Sequence, residues 1–391
     1  VMRAIFSVLV GCLLSGLASG VRADPPRQVG SVSYASGEVL IRSPHVDSTQ
    51  RVVRNWPVTS GDEILTAGDA RAELRLGLAT ARLDREAAVT VLELDRGRVS
   101  LFLTAGTANF RVSELRAREA VDVKIRRWTV RLTTGDYRID LHDSGGMTLR
   151  VRDGEARIDT GASTVPQVPG QMGQVAAHAT VVIQPSMPAD AFDRWTQTRQ
   201  SENSGRLGRL HVARELVGYE DLEAHGHWSW AEEYGMVWSP RHVPRGWTPY
   251  RFGRWILKAP WGWTWVDEAP WGFAPFHYGR WLRLREKWYW LPGPRQISPV
   301  YAPALVKWLE DPTRRDAIGW SPLGPYVPFK PYYPASQTHA RALNIFARPL
   351  SNLLSTDAGG HDPYATTWMA RSALVEQSAN SKTAAASPRI H

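Results

Sequence analysis

From Gly30 to Ile158 the chain alternates apolar and polar residues in short runs, as in Ala72-Glu73-Leu74-Arg75-Leu76 and Tyr137-Arg138-Ile139-Asp140-Leu141. Period-two alternation puts successive side chains on opposite faces of a strand. Strands are predicted over residues 30–34, 38–42, 71–76, 89–94, 99–103, 108–112, 128–132, 137–141, 149–151 and 156–158. Gly68-Asp69, Gly135-Asp136, Gly145-Gly146 and Asp153-Gly154 supply turn signals between them. No helical period of useful length interrupts the series. The pattern predicts an all-β domain over residues 28–184, built as a β-sandwich or as a short β-solenoid. Its alternating arginines read as the solvated faces of strands.

A different pattern follows. Pro185 and Pro188 close the β-region, and residues 189–200 place Phe192 and Trp195 on one side of a short helix. Residues 185–217 therefore read as a linker carrying a docking helix. From 218 to 345 tryptophan and proline dominate, with 14 of the 18 tryptophans between Trp228 and Trp320. Here the chain repeats itself three times, at His225-Gly226-His227-Trp228, Phe252-Gly253-Arg254-Trp255 and Tyr278-Gly279-Arg280-Trp281. The anchor glycines are 27 and 26 residues apart, a period typical of stacked repeats. Each copy reaches a second aromatic cluster about ten residues on, ending at Trp238, Trp265 and Trp290, which suits two strands and a tight turn. Turns are predicted near residues 231–233, 258–260 and 285–287. Proline is excluded from central ladder positions, so the hairpins are joined by extended connectors. Beyond residue 346 aromatic density falls, and residues 346–391 are expected to be disordered.

Two roles compete for the indoles. Stacked hairpins need large residues to fill their core, and most of the tryptophans fit that role. The minority left facing outward by alternation would form an aromatic surface able to stack on sugar rings. Trp263, Trp271, Trp288 and Tyr289 are the candidate ligand-facing residues.

Charge and the amino end narrow the setting. The formal net charge is +9, and a chain starting at Asp24 would lose Arg3 and Arg22 to carry +7. A basic balance favours anionic partners in general. Met2-Arg3, the apolar run from Ala4 to Leu17 and Val21-Arg22-Ala23 read as a secretory signal peptide over residues 1–23, with cleavage near Ala23. Export makes nucleic acid an improbable partner and leaves envelope proteins and anionic cell-wall glycans, peptidoglycan or lipopolysaccharide, as the expected ones. No other apolar run is long enough to span a bilayer. Leu9-Val10-Gly11-Cys12 also fits a lipoprotein box, which gives an alternative anchor at Cys12. Cys12 is the single cysteine, so the mature chain would hold neither disulfides nor a thiolate nucleophile.

Motifs of metal and catalytic chemistry are weak. His225 and His227 lie two apart, but no third ligand follows from spacing. Asp267 and Glu268 are adjacent, which sends them to opposite faces of a strand. The basic group Lys124, Arg126, Arg127 and Arg131 is interleaved with acids. No cofactor, metal or catalytic residue is predicted, and the expected class is a non-enzymatic binding or scaffold protein.

Two segments also resemble known families. Ser60-Gly61-Asp62, residues 71–77, Ala81-Arg82-Leu83-Asp84, residues 106–112 and Gly135-Asp136-Tyr137-Arg138-Ile139-Asp140 occur in the order seen in FecR-type periplasmic domains, a resemblance covering most of residues 28–184. It implies a periplasmic β-domain that engages a protein partner. FecR-type regulators place a cytoplasmic helical segment and a membrane helix before that domain, whereas here a signal peptide leads into it, so a sigma-factor role is not expected. Residues 247–255, 261–266, 269–281 and 320–325 resemble an uncharacterised Trp-rich domain of exported bacterial proteins that also carry FecR-type domains. That resemblance implies export and no known reaction.

Overall fold

The computed structural model describes residues 23–345 and 365–383, apart from 45, 47, 177–179 and 203–205. The expected signal peptide, Cys12 included, lies outside the described residues but for Ala23. The chain is all-β, as its alternation predicts.

The first eighteen strands form two nine-stranded sheets. One sheet runs, edge to edge, β4 (Pro57–Val58), β1 (Gly30–Ser36), β6 (Arg71–Arg75), β7 (Ala79–Leu83), β10 (Thr107–Val112), β13 (Gly135–Leu141), β14 (Met147–Asp153), β17 (Gln171–Val175) and β18 (Val181–Pro185). The other runs β3 (Gln50–Arg51), β2 (Val39–Arg42), β5 (Glu63–Thr66), β8 (Ala88–Asp95), β9 (Arg98–Ala105), β11 (Ala120–Ile125), β12 (Trp128–Leu132), β15 (Ala156–Asp159) and β16 (Thr164–Gln167). Val32, Leu74, Phe110, Ile139 and Leu149 of the first sheet and Ile41, Val89, Leu101, Val123 and Ile158 of the second meet in one buried core. The chain passes back and forth between the sheets while strand order climbs almost steadily with sequence. The molecule thus joins the two expected alternatives: a sandwich in its layers, with a solenoid's steady progress along its length.

The outer face of the first sheet is not solvated as the sequence suggests. The helix α1 (Ala191–Glu202) lies across it. Arg138 pairs with Asp190 at 2.7 Å and Asp193 at 3.2 Å, and Arg199 reaches Glu73 at 2.9 Å. The guanidinium of Arg71 sits 5.0 Å from the Trp195 ring. Burial alone would raise the Glu73 carboxyl, but Arg75, Arg82 and Arg199 hold it down at about 2. The linker helix therefore neutralises a face that alternation alone marks as wet.

Two short helices, α2 (Arg206–His211) and α3 (Leu222–His225), lead into the Trp-rich region. Its hairpins are β19 (Gly226–Ala231) with β20 (Gly235–Pro240), β21 (Gly253–Lys258) with β22 (Gly262–Asp267), and β23 (Arg280–Leu284) with β24 (Lys287–Leu291). The turns fall where they are predicted. In each hairpin two indoles sit directly opposite: Trp228 and Trp238, Trp255 and Trp265, Trp281 and Trp290. A fourth copy, not recognised in the sequence, follows as β25 (Val306–Leu309) with β26 (Ala317–Pro322), pairing Trp308 with Trp320. The leading indoles Trp228, Trp255, Trp281 and Trp308 are spaced 27, 26 and 27 residues apart.

The copies do not stack in chain order as a solenoid would. The first and third share a four-stranded sheet through β20 and β24, the second stands alone, and the fourth is joined by β27 (Thr367–Ala370). Indoles close the gaps, with Trp255 packed 4.6 Å from Trp308 and 5.4 Å from Trp320. The short helices α4 (Ala274–His277) and α5 (Gln337–Leu343) complete this layer. The expectation of a disordered tail is corrected for residues 367–383, where β27 and the helix α6 (Arg371–Thr383) form. Leu374 is buried and the Gln377 side chain accepts from the Trp255 amide at 3.1 Å, so tertiary contacts hold a segment of weak composition. Residues 346–364 and 384–391 of that call lie outside the described residues.

Candidate functional site

The pleat decides which aromatic side chains are available to a ligand. On β21 and β22, Trp255 and Trp265 face the aromatic core, while Ile256 and Val266, one residue along, face the β-sandwich and join its core. The second hairpin is thus buried on both sides. Trp271 is only 4% exposed, because it fills the space beside Trp238 at 4.9 Å and Trp247 at 5.7 Å. Trp288 is buried against Trp281. Trp263 is half-buried, and its backbone carbonyl accepts from the Tyr332 hydroxyl at 2.6 Å. Tyr289 is half-buried on the face of β24 opposite Trp288 and Trp290. The four residues expected to face a ligand therefore form no exposed row, and Trp271 and Trp288 belong to the core.

Among the described residues the most outward indole is Trp230, 72% exposed on β19. β19 is the edge strand of its sheet, and Trp230 lies two residues beyond Trp228, which packs on His211 and Trp290. The sequence signal was present: Trp228 and Trp230 lie two apart and share a face, and the second and third copies have Leu257 and Arg283 where the first has Trp230. Trp230 stands on a groove of about 600 Å³. Tyr234 and Tyr326, stacked at 6.3 Å, line it with Met236 and the loop of Pro292, Pro294 and Arg295.

The groove also reaches Arg280, which occupies the repeat position of His227 and Arg254. Its surroundings differ from theirs. Arg254 is exposed toward Glu268, whereas Arg280 is only 2% exposed. It donates to the carbonyls of Gly279 at 2.8 Å and Val327 at 3.3 Å and to Asn344 Oδ1 at 3.1 Å. All three acceptors are neutral, and among the described residues no carboxylate pairs with it. Burial lowers this guanidinium to about 10. Arg295 on the rim is exposed, also without a carboxylate partner among the described residues, and with burial it lowers His211. Glu233 is the acidic side chain lining the groove.

Residues 219–327 match a family of unknown function, DUF6600. The DUF6600 match takes in both strands of all four hairpins and both arginines of the groove. No match was found among curated proteins. Two crystal structures, each described as a "putative anti-sigma factor" from Parabacteroides distasonis, are similar in part. One is 16% identical over 36% of this chain with a TM-score of 0.30, the other 17% over 34% with a TM-score of 0.31. This chain spans 64% of the length of each.

Other chemistry in the structure is accounted for by the fold. His225 closes α3, and His227 accepts from Arg241 at 3.1 Å. No group of three metal-ligating side chains occurs among the described residues. Asp267, raised to about 8 by burial, accepts from the Trp265 indole at 3.0 Å and the Ala269 amide at 2.9 Å, while Glu268 is exposed on the other face. A smaller cavity of about 280 Å³ lies where the DUF6600 region meets the sandwich, beside Arg75 and Glu220. Of the arginines that line it, Arg75 is held by Asp221 through two hydrogen bonds and Arg214 by Glu119.

Proposed function

We propose that this chain is a non-enzymatic binding protein of the cell envelope, exported after cleavage near Ala23, whose β-sandwich engages an extended segment of a protein partner at the edge strand β18. The observation that carries this reading is the state of that edge. β18 ends its sheet, and among the described residues no further strand pairs with its outer edge. Val182 and Ile183 on the strand and Met187 just beyond it are exposed. Natural proteins normally blunt such an edge with charge or a cover, and an added strand from a partner satisfies both the backbone and the apolar side chains.

A photocrosslinking residue at Val182 in the exported chain tests this in cells, with Leu92, exposed on the other sheet, as the control position. A discrete envelope protein captured from 182, absent from 92 and lost on Ile183→Lys, is the expected outcome. Capture of the same abundant proteins from both positions would sink the proposal. A second reading, glycan binding at the aromatic groove, is favoured by the exposed indole of Trp230.

A further inference from the structure

We infer that the groove between Trp230, Tyr326 and Arg295 binds an oligosaccharide that carries sugar carboxylates. The inference rests on the glycan reading of this groove and adds to it the charge of the ligand.

A sugar ring has an apolar face of C–H groups and a rim of hydroxyls. The groove offers the complement. The Trp230 indole stands free, and the Tyr234–Tyr326 pair extends an aromatic surface beside it. Glu233, His211 and Gln296 supply hydrogen-bonding groups around that surface. Sites for small ligands share this combination of apolar walls and a few convergent polar groups.

The charge follows from the two arginines. A buried cation is costly unless an anion compensates it. Elsewhere in this chain buried cations meet that rule: Arg75 has Asp221, Arg82 has Glu73, and Lys258 has Asp62. Arg280 breaks it, with three neutral acceptors and no carboxylate among the described residues. A guanidinium has five N–H donors in a planar fork suited to a carboxylate, and these three bonds leave donors over. Arg295 adds a second positive group at the mouth. With Glu233 as the acidic side chain of the lining, the balance over the groove is positive, and it selects an anion. An aromatic platform beside two arginines selects a carboxylate displayed on a sugar ring.

The test titrates the whole exported chain with a hexamer of uronic acid and, separately, with neutral chitohexaose, following heat and tryptophan emission. The hexauronate should bind, with affinity falling as salt is raised. Trp230→Ala and Arg295→Gln change exposed side chains, and each should weaken it about tenfold, equivalent to about 1.4 kcal/mol. Arg295→Gln should also flatten the salt dependence. Trp230→Ala should leave the melting temperature of the free chain unchanged, separating lost contact from lost fold. Equal affinity for chitohexaose would overturn the inference while leaving a neutral-glycan site in place. Failure of both sugars to bind would overturn the inference and the glycan reading together.

Discussion

At the scale of single residues, His277 shows how the aromatic core imposes itself on chemistry. Its ring is stacked on Tyr301 at 4.7 Å and lies 4.7 Å from Phe273. Nδ1 faces the Ala302 carbonyl at 2.8 Å, and a carbonyl only accepts, so the proton sits on Nδ1. Nε2 is buried without a partner. Protonating the ring would place a charge inside the aromatic core, and burial, outweighing the pull of the Ala302 and Pro303 carbonyls, lowers this imidazole to about 4 from its ordinary 6.5. The folded state then binds fewer protons than the unfolded state between these two values. His277 therefore contributes stability that is fully present above pH 6.5 and is lost as pH falls toward 4. Denaturant titrations of His277→Phe and the parent chain across pH 4 to 7 should show a stability gap that is widest above 6.5 and narrows on acidification. A gap independent of pH would mean that the ring is not held neutral. Asp267 works in the opposite sense, since burial raises it to about 8 and its contribution fades as pH rises through that value. The difference between variant and parent, not the parent curve alone, isolates the histidine. The imidazole reads in the sequence only as the counterpart of Arg251; its burial comes from the packing of α4 against Tyr301, which periodicity does not encode.

At the scale of elements, the repeat is a rule about glycine and indole. In the first two hairpins a Cβ on the anchor glycine would meet the second-strand tryptophan, 2.3 Å from Trp238 at Gly226 and 2.5 Å from Trp265 at Gly253. At Gly279 the same atom would lie 2.1 Å from the Leu291 carbonyl and 2.7 Å from the Trp290 indole nitrogen. The indole packs directly against the anchor residue, where a Cβ would clash and glycine lets it approach. Gly253→Ala should cost about 1–3 kcal/mol, as overpacking does. Gly68→Ala, whose Cβ would meet only the end of the Glu86 side chain at 3.5 Å, should change stability by less than about 0.5 kcal/mol. Equal effects in thermal melts would refute the packing account. The same rule explains what was legible. Hairpin strands and turns follow from spacing, because local alternation fixes them. The fourth copy is masked in the sequence because Val306-Lys307-Trp308 lacks the leading glycine, although Trp320-Ser321-Pro322 echoes Trp238-Ser239-Pro240. In that copy Gly319 takes over, its Cβ position 2.8 Å from the ring of Trp368 on β27. Which tryptophan faces outward was legible only in part: the repeat marks Trp230 as the position where the other copies carry Leu257 and Arg283, but the burial of Trp271 depends on Trp238 and Trp247 packed beside it, which spacing does not show.

At the scale of the whole molecule, the sandwich and the DUF6600 region are joined through a shared core and a buried polar seam. Ile256 and Val266 complete the sandwich core from outside. Asn55 donates to the carbonyls of Asp267 at 2.9 Å and Ala269 at 2.7 Å. Beside them, Lys258 from the second hairpin meets Asp62 at 2.6 Å and Ser43 at 3.1 Å, with both charged groups buried. Burial pulls Lys258 down and Asp62 pulls it up, the first being the larger. A pair of this kind adds little net stability over an apolar replacement, but removing one partner strands the other. Asp62 cannot relax toward solvent, because it also accepts from the Thr59 amide at 2.8 Å and from Ser43 at 2.5 Å. Lys258→Met preserves most of the side-chain volume and leaves that carboxylate without its cation, so the loss should be about 3 kcal/mol. Its location should also change the shape of unfolding. Most tryptophans lie beyond residue 228, so indole emission follows the DUF6600 region, whereas far-ultraviolet dichroism follows both sheets of the sandwich as well. The two probes should coincide in the parent chain and separate in Lys258→Met, with the emission change coming at lower denaturant. Coincident curves shifted by less than about 1 kcal/mol would show that the apolar contacts of Ile256 and Val266 hold the two regions together without the ion pair.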